Sequence, residues 1–121
     1  MRSLLLALAA VGVALAALGA DALPAMDEAA ANRGSAVFAR YCALCHGATG
    51  DGNGTAARTY KPAPANLVAS PYPDEYKEMI IRKGGGAIGR SPFMPPWNDE
   101  LSDQQIRDLL AYLRRIKAKP A

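Results

Sequence analysis

One short segment, Cys42-Ala43-Leu44-Cys45-His46, contains both cysteines and the only histidine of the chain. Two thiols at this spacing lie on one helical turn, so each can add to a vinyl group along one edge of a porphyrin. The next residue then faces the iron, and a neutral imidazole is a suitable iron ligand. The spacing therefore predicts one covalently attached haem c, with Cys42 and Cys45 as thioether attachments and His46 as the proximal ligand.

The alternatives for this segment are a redox dithiol, a structural disulfide and a zinc half-site. A thioredoxin-like dithiol belongs in a βαβ unit, but the sequence has no runs of apolar β-branched residues. Structural zinc needs four ligands of the cysteine or histidine type, and the sequence supplies only three. With both cysteines assigned to a haem, no disulfide is left to stabilise the domain, so we expect the porphyrin to complete its core.

The N-terminal segment, residues 1–22, is predicted to be a secretory signal peptide. Arg2 precedes an apolar stretch, and Ala20-Asp21-Ala22 matches an A-x-A cleavage signal. A retained membrane anchor is the alternative, although the apolar stretch at 4–18 is shorter than the roughly 20 residues that a spanning helix needs. We therefore expect an exported protein, associated with a membrane only if this segment is retained.

The remaining chain predicts one small domain of helices. Residues 23–33 are alanine-rich and acidic without clear periodicity, which indicates a short leader before a domain at 34–119. Helical patterns follow at 35–44 and 73–83, and the last helix is expected to run from Ser102 to about residue 117. Its start has the signals of a capping box.

A second iron ligand can be sought by elimination, because the sequence has no second histidine. Met26 lies in the leader and Met79 on a helical face, whereas Met94 lies in Ser91-Pro92-Phe93-Met94-Pro95-Pro96-Trp97, where prolines restrict the segment presenting the sulfur. A thioether favours ferrous iron, and a filled sixth position blocks dioxygen chemistry. We predict Met94 as the distal ligand; the alternative is an open or water-bound iron.

The stiff segment Lys61-Pro62-Ala63-Pro64-Ala65-Asn66-Leu67 is predicted to run extended past the proximal face of the haem. The second ring nitrogen of His46 needs an acceptor that fixes the orientation of the imidazole. We expect the backbone carbonyl of Pro64 to be that acceptor, with Pro62 as the alternative. Simple rigidity of the loop would also account for the prolines.

Three motifs in order give the chain a resemblance to the small class I c-type cytochromes. They are Gly34-x-x-x-Phe38-x-x-x-Cys42-x-x-Cys45-His46, Met94-Pro95-Pro96 and Leu109-Leu110-Ala111-Tyr112-Leu113. The resemblance spans residues 34–116 and implies an all-α cytochrome c fold, with three to five short helices around one covalently attached haem. It also implies that the N- and C-terminal helices cross, placing Gly34 and Phe38 against Leu109 and Tyr112.

The resemblance carries further implications for the site and its location. It makes Trp97, Arg90 and Tyr60 candidates for hydrogen bonds to the haem propionates. It implies a periplasmic protein, because c-type haem is attached on the outer side of the bacterial cytoplasmic membrane. The motifs look most like those of bacterial monohaem cytochromes and of haem domains that belong to oxidases or dehydrogenases.

These features together predict a periplasmic one-electron carrier, which needs no catalytic acid, base or nucleophile. The alternatives are an internal electron relay in a larger periplasmic oxidoreductase and, from another class, an open-site ligand-binding or peroxidase-type haem protein. Redox proteins are the expected partners. Four cations are candidates for steering an acidic partner to the haem edge, unless they are simply solvated: Lys61, Lys77, Lys83 and Arg90.

Other partner classes are not expected. The net charge is only +3, and no basic-aromatic stripe accompanies it, which argues against nucleic acid binding. No small-molecule substrate is expected either.

Overall fold

The computed structural model describes residues 22–118, so nearly all of the predicted signal peptide lies outside the described residues. Within that range the secondary structure is helical and contains no strand, which confirms the all-α prediction. The α-helices of this described part are α1 (Ala22–Tyr41), α2 (Ala43–His46), α3 (Asp74–Lys83) and α4 (Asp103–Ile116), and two short 3₁₀ helices occupy Ala57–Thr59 and Gly86–Ile88. Among the described residues, every helix is too short or too polar to cross a bilayer.

Helix α1 begins earlier than the sequence predicted. Residues 23–33, expected to form a leader, are helical; the helix begins at Ala22 and continues without a break to Tyr41. Ala31 is only 3% exposed, so this part of the helix is packed. Alanine has the highest helix propensity, and small side chains pack closely without forming a large apolar stripe, which is why the periodicity gave no signal. The domain boundary at residue 34 stays a prediction, but the secondary structure of the leader was wrong.

Ion pairs also connect this early part of α1 to the end of α4. Asp27 accepts from Arg114 at 3.1 Å, and Glu28 accepts from Arg115 at 2.9 Å. These side chains are largely exposed, so each pair contributes little free energy but favours one alignment of the two helices.

The packing of α1 against α4 confirms the contact that the family resemblance implied. A Cβ at Gly34 would collide with the backbone of Asp108 and would lie 2.9 Å from the Cβ of Tyr112. One turn later, the rings of Phe38 and Tyr112 are 5.1 Å apart, and Leu109 is 1% exposed. Glycine therefore allows a close approach of the two backbones, which brings the aromatic and leucine side chains into one core.

Helix α4 begins as predicted. Ser102 accepts from the backbone N–H of Gln105 at 3.2 Å, while the Gln105 side chain accepts from the backbone N–H of Ser102 at 2.9 Å. The apolar face that follows is buried almost completely, and it contains Ile106, Leu109, Leu110 and Leu113. This face forms the floor on which the other elements pack.

Helix α3 ends at a glycine that holds the following segment close. Gly84 has a φ of 77°, in the left-handed region that favours glycine. A Cβ there would lie 2.8 Å from the nitrogen of Pro96 and 2.9 Å from the oxygen of Met94. The end of α3 thus packs directly against the segment that carries Met94.

Candidate haem site

A cavity of about 600 Å³ lies between the end of α1, helix α2, the proline-rich segment, α3 and the segment around Met94. Its volume falls within the range of about 300–1,000 Å³ that is usual for cofactor sites. Cys42, Cys45, His46 and Met94 all line it. The structure therefore brings together the residues that the sequence predicted as attachments and ligands.

The cysteines and the histidine occupy one helical turn. The N–H groups of Cys45 and His46 both donate to the carbonyl of Cys42, at 3.2 and 2.9 Å. Within the predicted helix at 35–44, the structure has a break at Cys42, where α1 ends before α2 begins. Both thiols are free of a disulfide and border the same cavity, so they are available along one edge of it.

The environment of Cys42 does not suit a redox dithiol. Burial raises the pKa of the Cys42 thiol to about 12, and the neighbouring Cys45 adds to the shift. Catalytic dithiols instead have an attacking thiol of lowered pKa, because the thiolate is the nucleophile. The apolar surroundings of Cys42 are better matched to a thiol that packs against a large hydrophobic group.

His46 is oriented by a backbone carbonyl, but by a different one from that predicted. Its Nδ1 lies 2.9 Å from the carbonyl oxygen of Ala65, so the acceptor is Ala65 and neither Pro64 nor Pro62. The Pro64 oxygen instead faces Gly52, where a Cβ would lie 3.0 Å from it. Successive carbonyls of an extended segment point to opposite sides. The Pro64 carbonyl points towards Gly52, and the Ala65 carbonyl points towards His46.

The hydrogen bond also determines which ring nitrogen is available to a metal. Since a carbonyl only accepts, Nδ1 of His46 carries the proton and Nε2 keeps its lone pair. Burial lowers the pKa of His46, and the bond to Ala65 opposes that shift in part. The imidazole is therefore neutral at pH 7, which is the form that ligates iron.

The glycine-rich loop after His46 holds the proline-rich segment in place. Gly52 donates to the His46 carbonyl at 2.7 Å, and Leu67 donates to the Gly50 carbonyl at 2.7 Å. The first bond folds the loop back on α2, and the second draws the segment carrying Ala65 against the same loop. These two hydrogen bonds therefore hold His46 and the segment carrying its acceptor, Ala65, against the same loop.

Met94 is presented by a segment that is hydrogen-bonded to α3 and to the glycine segment that follows it. Its carbonyl accepts from Gly85 at 2.8 Å, and the N–H of Trp97 donates to the carbonyl of Ile81 at 2.9 Å. Met94 is partly buried and packs against the core. Met79, by contrast, is not among the residues that line the cavity.

The residues around this cavity fit a haem. Aromatic, aliphatic and proline side chains form most of the wall, as a flat apolar macrocycle requires. Two thiols, an imidazole nitrogen and a thioether are the donor types that c-type haem uses. The charged side chains among the described lining residues are both cations, Lys77 and Arg90, which suits a cofactor bearing carboxylates.

Residues 29–113 match the protein family described as cytochrome c oxidase, cbb3-type, subunit III. The chain belongs to this family of c-type cytochrome domains. It is 35% identical over 111 residues to a nicotinate dehydrogenase subunit of Pseudomonas putida, covering 87% of this chain and 9% of the relative. It is 31% identical over 106 residues to the cytochrome bc1 complex cytochrome c subunit of Corynebacterium diphtheriae, covering 85% and 33%.

The chain therefore corresponds to a part of each of these two longer relatives. The family confirms the predicted class: this is a small c-type cytochrome domain that carries haem c and transfers electrons, and it is not an enzyme by itself.

The weaker candidates for propionate contacts also border the cavity of the cytochrome. Trp97 packs edge-on against Tyr41 with ring centroids 5.5 Å apart. Arg90 donates to the Tyr72 hydroxyl at 3.4 Å, and Tyr60 lies at the same wall. Their positions allow the predicted role, which stays a prediction.

Lys77 is the cavity residue whose role the sequence prediction missed. It was a candidate for steering a partner, with simple solvation as the alternative, but it is 5% exposed and lines the cavity, so its position fits neither role. Lys61, Lys83 and Arg90 are exposed. The available signal was its spacing, because Lys77 precedes the buried Ile81 by four residues and shares its helix face.

Proposed function

We propose that this cytochrome is a periplasmic one-electron carrier with a single haem, attached covalently to Cys42 and Cys45 and ligated by His46 and Met94. The observation that carries the proposal is the convergence of two thiols, an oriented neutral imidazole and a thioether on one largely apolar cavity.

Each of these residues has a distinct task in the proposal. The haem, when bound, supplies an Fe(III)/Fe(II) couple that accepts or donates one electron. Ala65 keeps Nε2 of His46 directed into the cavity, and Gly85 keeps the Met94 segment against α3. Because both ligand-bearing segments are fixed by backbone hydrogen bonds, the site rearranges little between oxidation states, which suits rapid electron transfer.

Export to the periplasm is supported by the sequence of residues 1–22, which has the three regions of a signal peptide. Attachment of haem outside the cytoplasmic membrane agrees with this location. A fusion of residues 1–30 to a reporter that is active only after export would be expected to give activity, and Arg2 is the natural residue to vary.

A second candidate function is an electron relay within a larger oxidoreductase. It is favoured by the names of the two relatives, one a dehydrogenase subunit and the other a subunit of a bc1 complex. Co-purification of the cytochrome with an enzyme subunit would support the relay, whereas isolation as a single chain that is reduced and oxidised by soluble proteins would support the free carrier.

The ligation can be tested with the exported protein and two matched variants. The ferrous wild type should not bind carbon monoxide, and its ferric form should show the weak near-infrared band of a thioether-iron bond. Met94→Ala should lose that band and bind carbon monoxide, because it opens the sixth position. Met79→Ala removes a thioether outside the cavity lining and should behave as the wild type. Rapid carbon monoxide binding by the wild type would contradict Met94 ligation and favour the open-site alternative.

A further inference from the structure

Lys77 presents an unusual combination of charge and burial. Its side chain belongs to α3, is 5% exposed and lines the cavity. Among residues 22–118, no carboxylate forms an ion pair with it. Asp74, one turn earlier on the same helix, is instead bound by Arg114 through a charge-assisted hydrogen bond of 2.6 Å.

The other charged groups near Lys77 do not remove this imbalance. Asp74 favours the ammonium form of Lys77, but Arg114 and Lys117 both oppose it. The loss of solvent on burial is the largest effect and lowers the pKa of Lys77. A cation on a side chain that is largely removed from solvent, with mainly cationic neighbours, is stabilised by a nearby anion.

The cavity wall itself offers no such anion. The described residues that line it include two cations, Lys77 and Arg90, and neither aspartate nor glutamate. A haem brings two propionate carboxylates and no other anionic side group. The number and sign of the charges on the wall are therefore complementary to those of the cofactor.

We infer that Lys77 pairs through its ammonium group with a propionate of the haem, and so supplies a counter-charge to the cofactor from the wall of the cavity. This inference rests on the proposed binding of haem in the cavity. It assigns Lys77 a role in holding and tuning the haem in place of the partner-steering role that its sequence position suggested. A cation paired with a propionate lies near the iron and favours the less positive ferrous state.

The test compares Lys77→Met with Lys83→Met in the exported holoprotein. Both substitutions remove one lysine from α3, but Lys83 is exposed and is not among the cavity-lining residues. Lys77→Met should lower the midpoint reduction potential, because loss of a nearby cation favours the more positive ferric state. It should also shift the resonance Raman band of propionate bending, which responds to a direct hydrogen bond. Lys83→Met should leave both unchanged.

A wild-type measurement keeps the inference testable if Lys77→Met does not accumulate. In the diamagnetic ferrous protein, the ε-methylene protons of Lys77 should show nuclear Overhauser contacts to propionate methylene protons. Absence of these contacts, or a Lys77→Met protein with an unshifted propionate band, would overturn the pairing, even if the potential changed. Either result in a protein with a normal haem spectrum would leave the proposed function standing, whereas a protein without haem absorption would remove the proposed function itself.

Discussion

At the scale of single residues, the site depends on hydrogen bonds that select one state of a titratable group. The bond from His46 to the Ala65 carbonyl leaves Nε2 as the free nitrogen. In the core, hydrogen bonds similarly favour the ionised form of Asp108, whose side chain is 4% exposed. Its carboxylate accepts from Nε and Nη2 of Arg33, both at 2.8 Å, and from Gln104 at 2.9 Å.

These bonds predict a pH dependence of stability. The hydrogen bond from Arg33 holds the pKa of Asp108 below its ordinary value of 3.8. A depressed folded-state pKa gives a stabilisation that is present above about pH 4 and is lost as the pH falls through the folded pKa. Asp108→Asn should therefore lower the free energy of unfolding by about 1–2 kcal/mol at pH 7, a value reduced because Arg33 is partly solvated.

Urea unfolding of the holoprotein at pH 7 and pH 3 provides the measurement. The difference between Asp108→Asn and wild type should shrink at pH 3, because below about pH 4 Asp108 of the unfolded chain takes up a proton while the pKa of the folded carboxylate lies lower. Asp99→Asn, an exposed aspartate, should have little effect at either pH. A difference that is equal at the two pH values would show that the Asp108 charge does not contribute.

At the scale of elements, the packing of α1 against α4 sets the position of the motif that follows α1. The rings of Phe38 and Tyr112 pack together one helical turn after Gly34, which approaches the α4 backbone closely. The carbonyl of Phe38 then accepts from the N–H of Cys42 at 2.9 Å. A displacement of α1 would therefore move the first thiol relative to the floor formed by α4.

Gly34→Val tests this close approach. Its side chain would enter space occupied by the Asp108 backbone and the Tyr112 Cβ, so we expect a loss of about 1–3 kcal/mol in the free energy of unfolding. Ala39→Val introduces the same residue at an exposed position of α1 and should change stability by about 0.5 kcal/mol or less. Equal effects in urea titrations would indicate that helix propensity, and not the clash, is responsible.

The packed N-terminal part of α1 can be tested in the same way. Ala31→Glu places a carboxylate at a buried position and should destabilise the protein by about 1–3 kcal/mol, because the charge loses water without gaining a partner. Ala29→Glu, two residues earlier and exposed, is the control and should be nearly neutral. If residues 23–33 were an unpacked leader, thermal unfolding would give the same midpoint for both variants.

At the scale of the whole molecule, the sequence determined most of the architecture through local signals. The capping box at Ser102, the apolar face of α4 and the glycine after α3 are local in sequence, and the structure has them as predicted. The contact between Gly34 and α4 is long-range, and only the family resemblance indicated it.

The errors have a common physical cause, because each concerns tertiary contacts that local patterns do not encode. The Pro64 carbonyl lies beside Gly52 of the glycine-rich loop, so the carbonyl that accepts from His46 is that of Ala65. This arrangement depends on how the loop and the extended segment pack together. Ala31 is buried in the part of α1 that ion pairs connect to the distant end of α4. The burial of Lys77 depends on a cavity formed by several elements, and the only local signal was its position four residues before Ile81 on the same helix face.

The covalent bond between the haem and the chain is the central claim, and peptide mass spectrometry tests it most directly. After export, denaturation and proteolysis, the peptide containing residues 42–46 should carry the mass of one haem on its two cysteines, and the Cys42→Ala, Cys45→Ala double variant should carry none. Recovery of that wild-type peptide with two unmodified thiols would contradict the account.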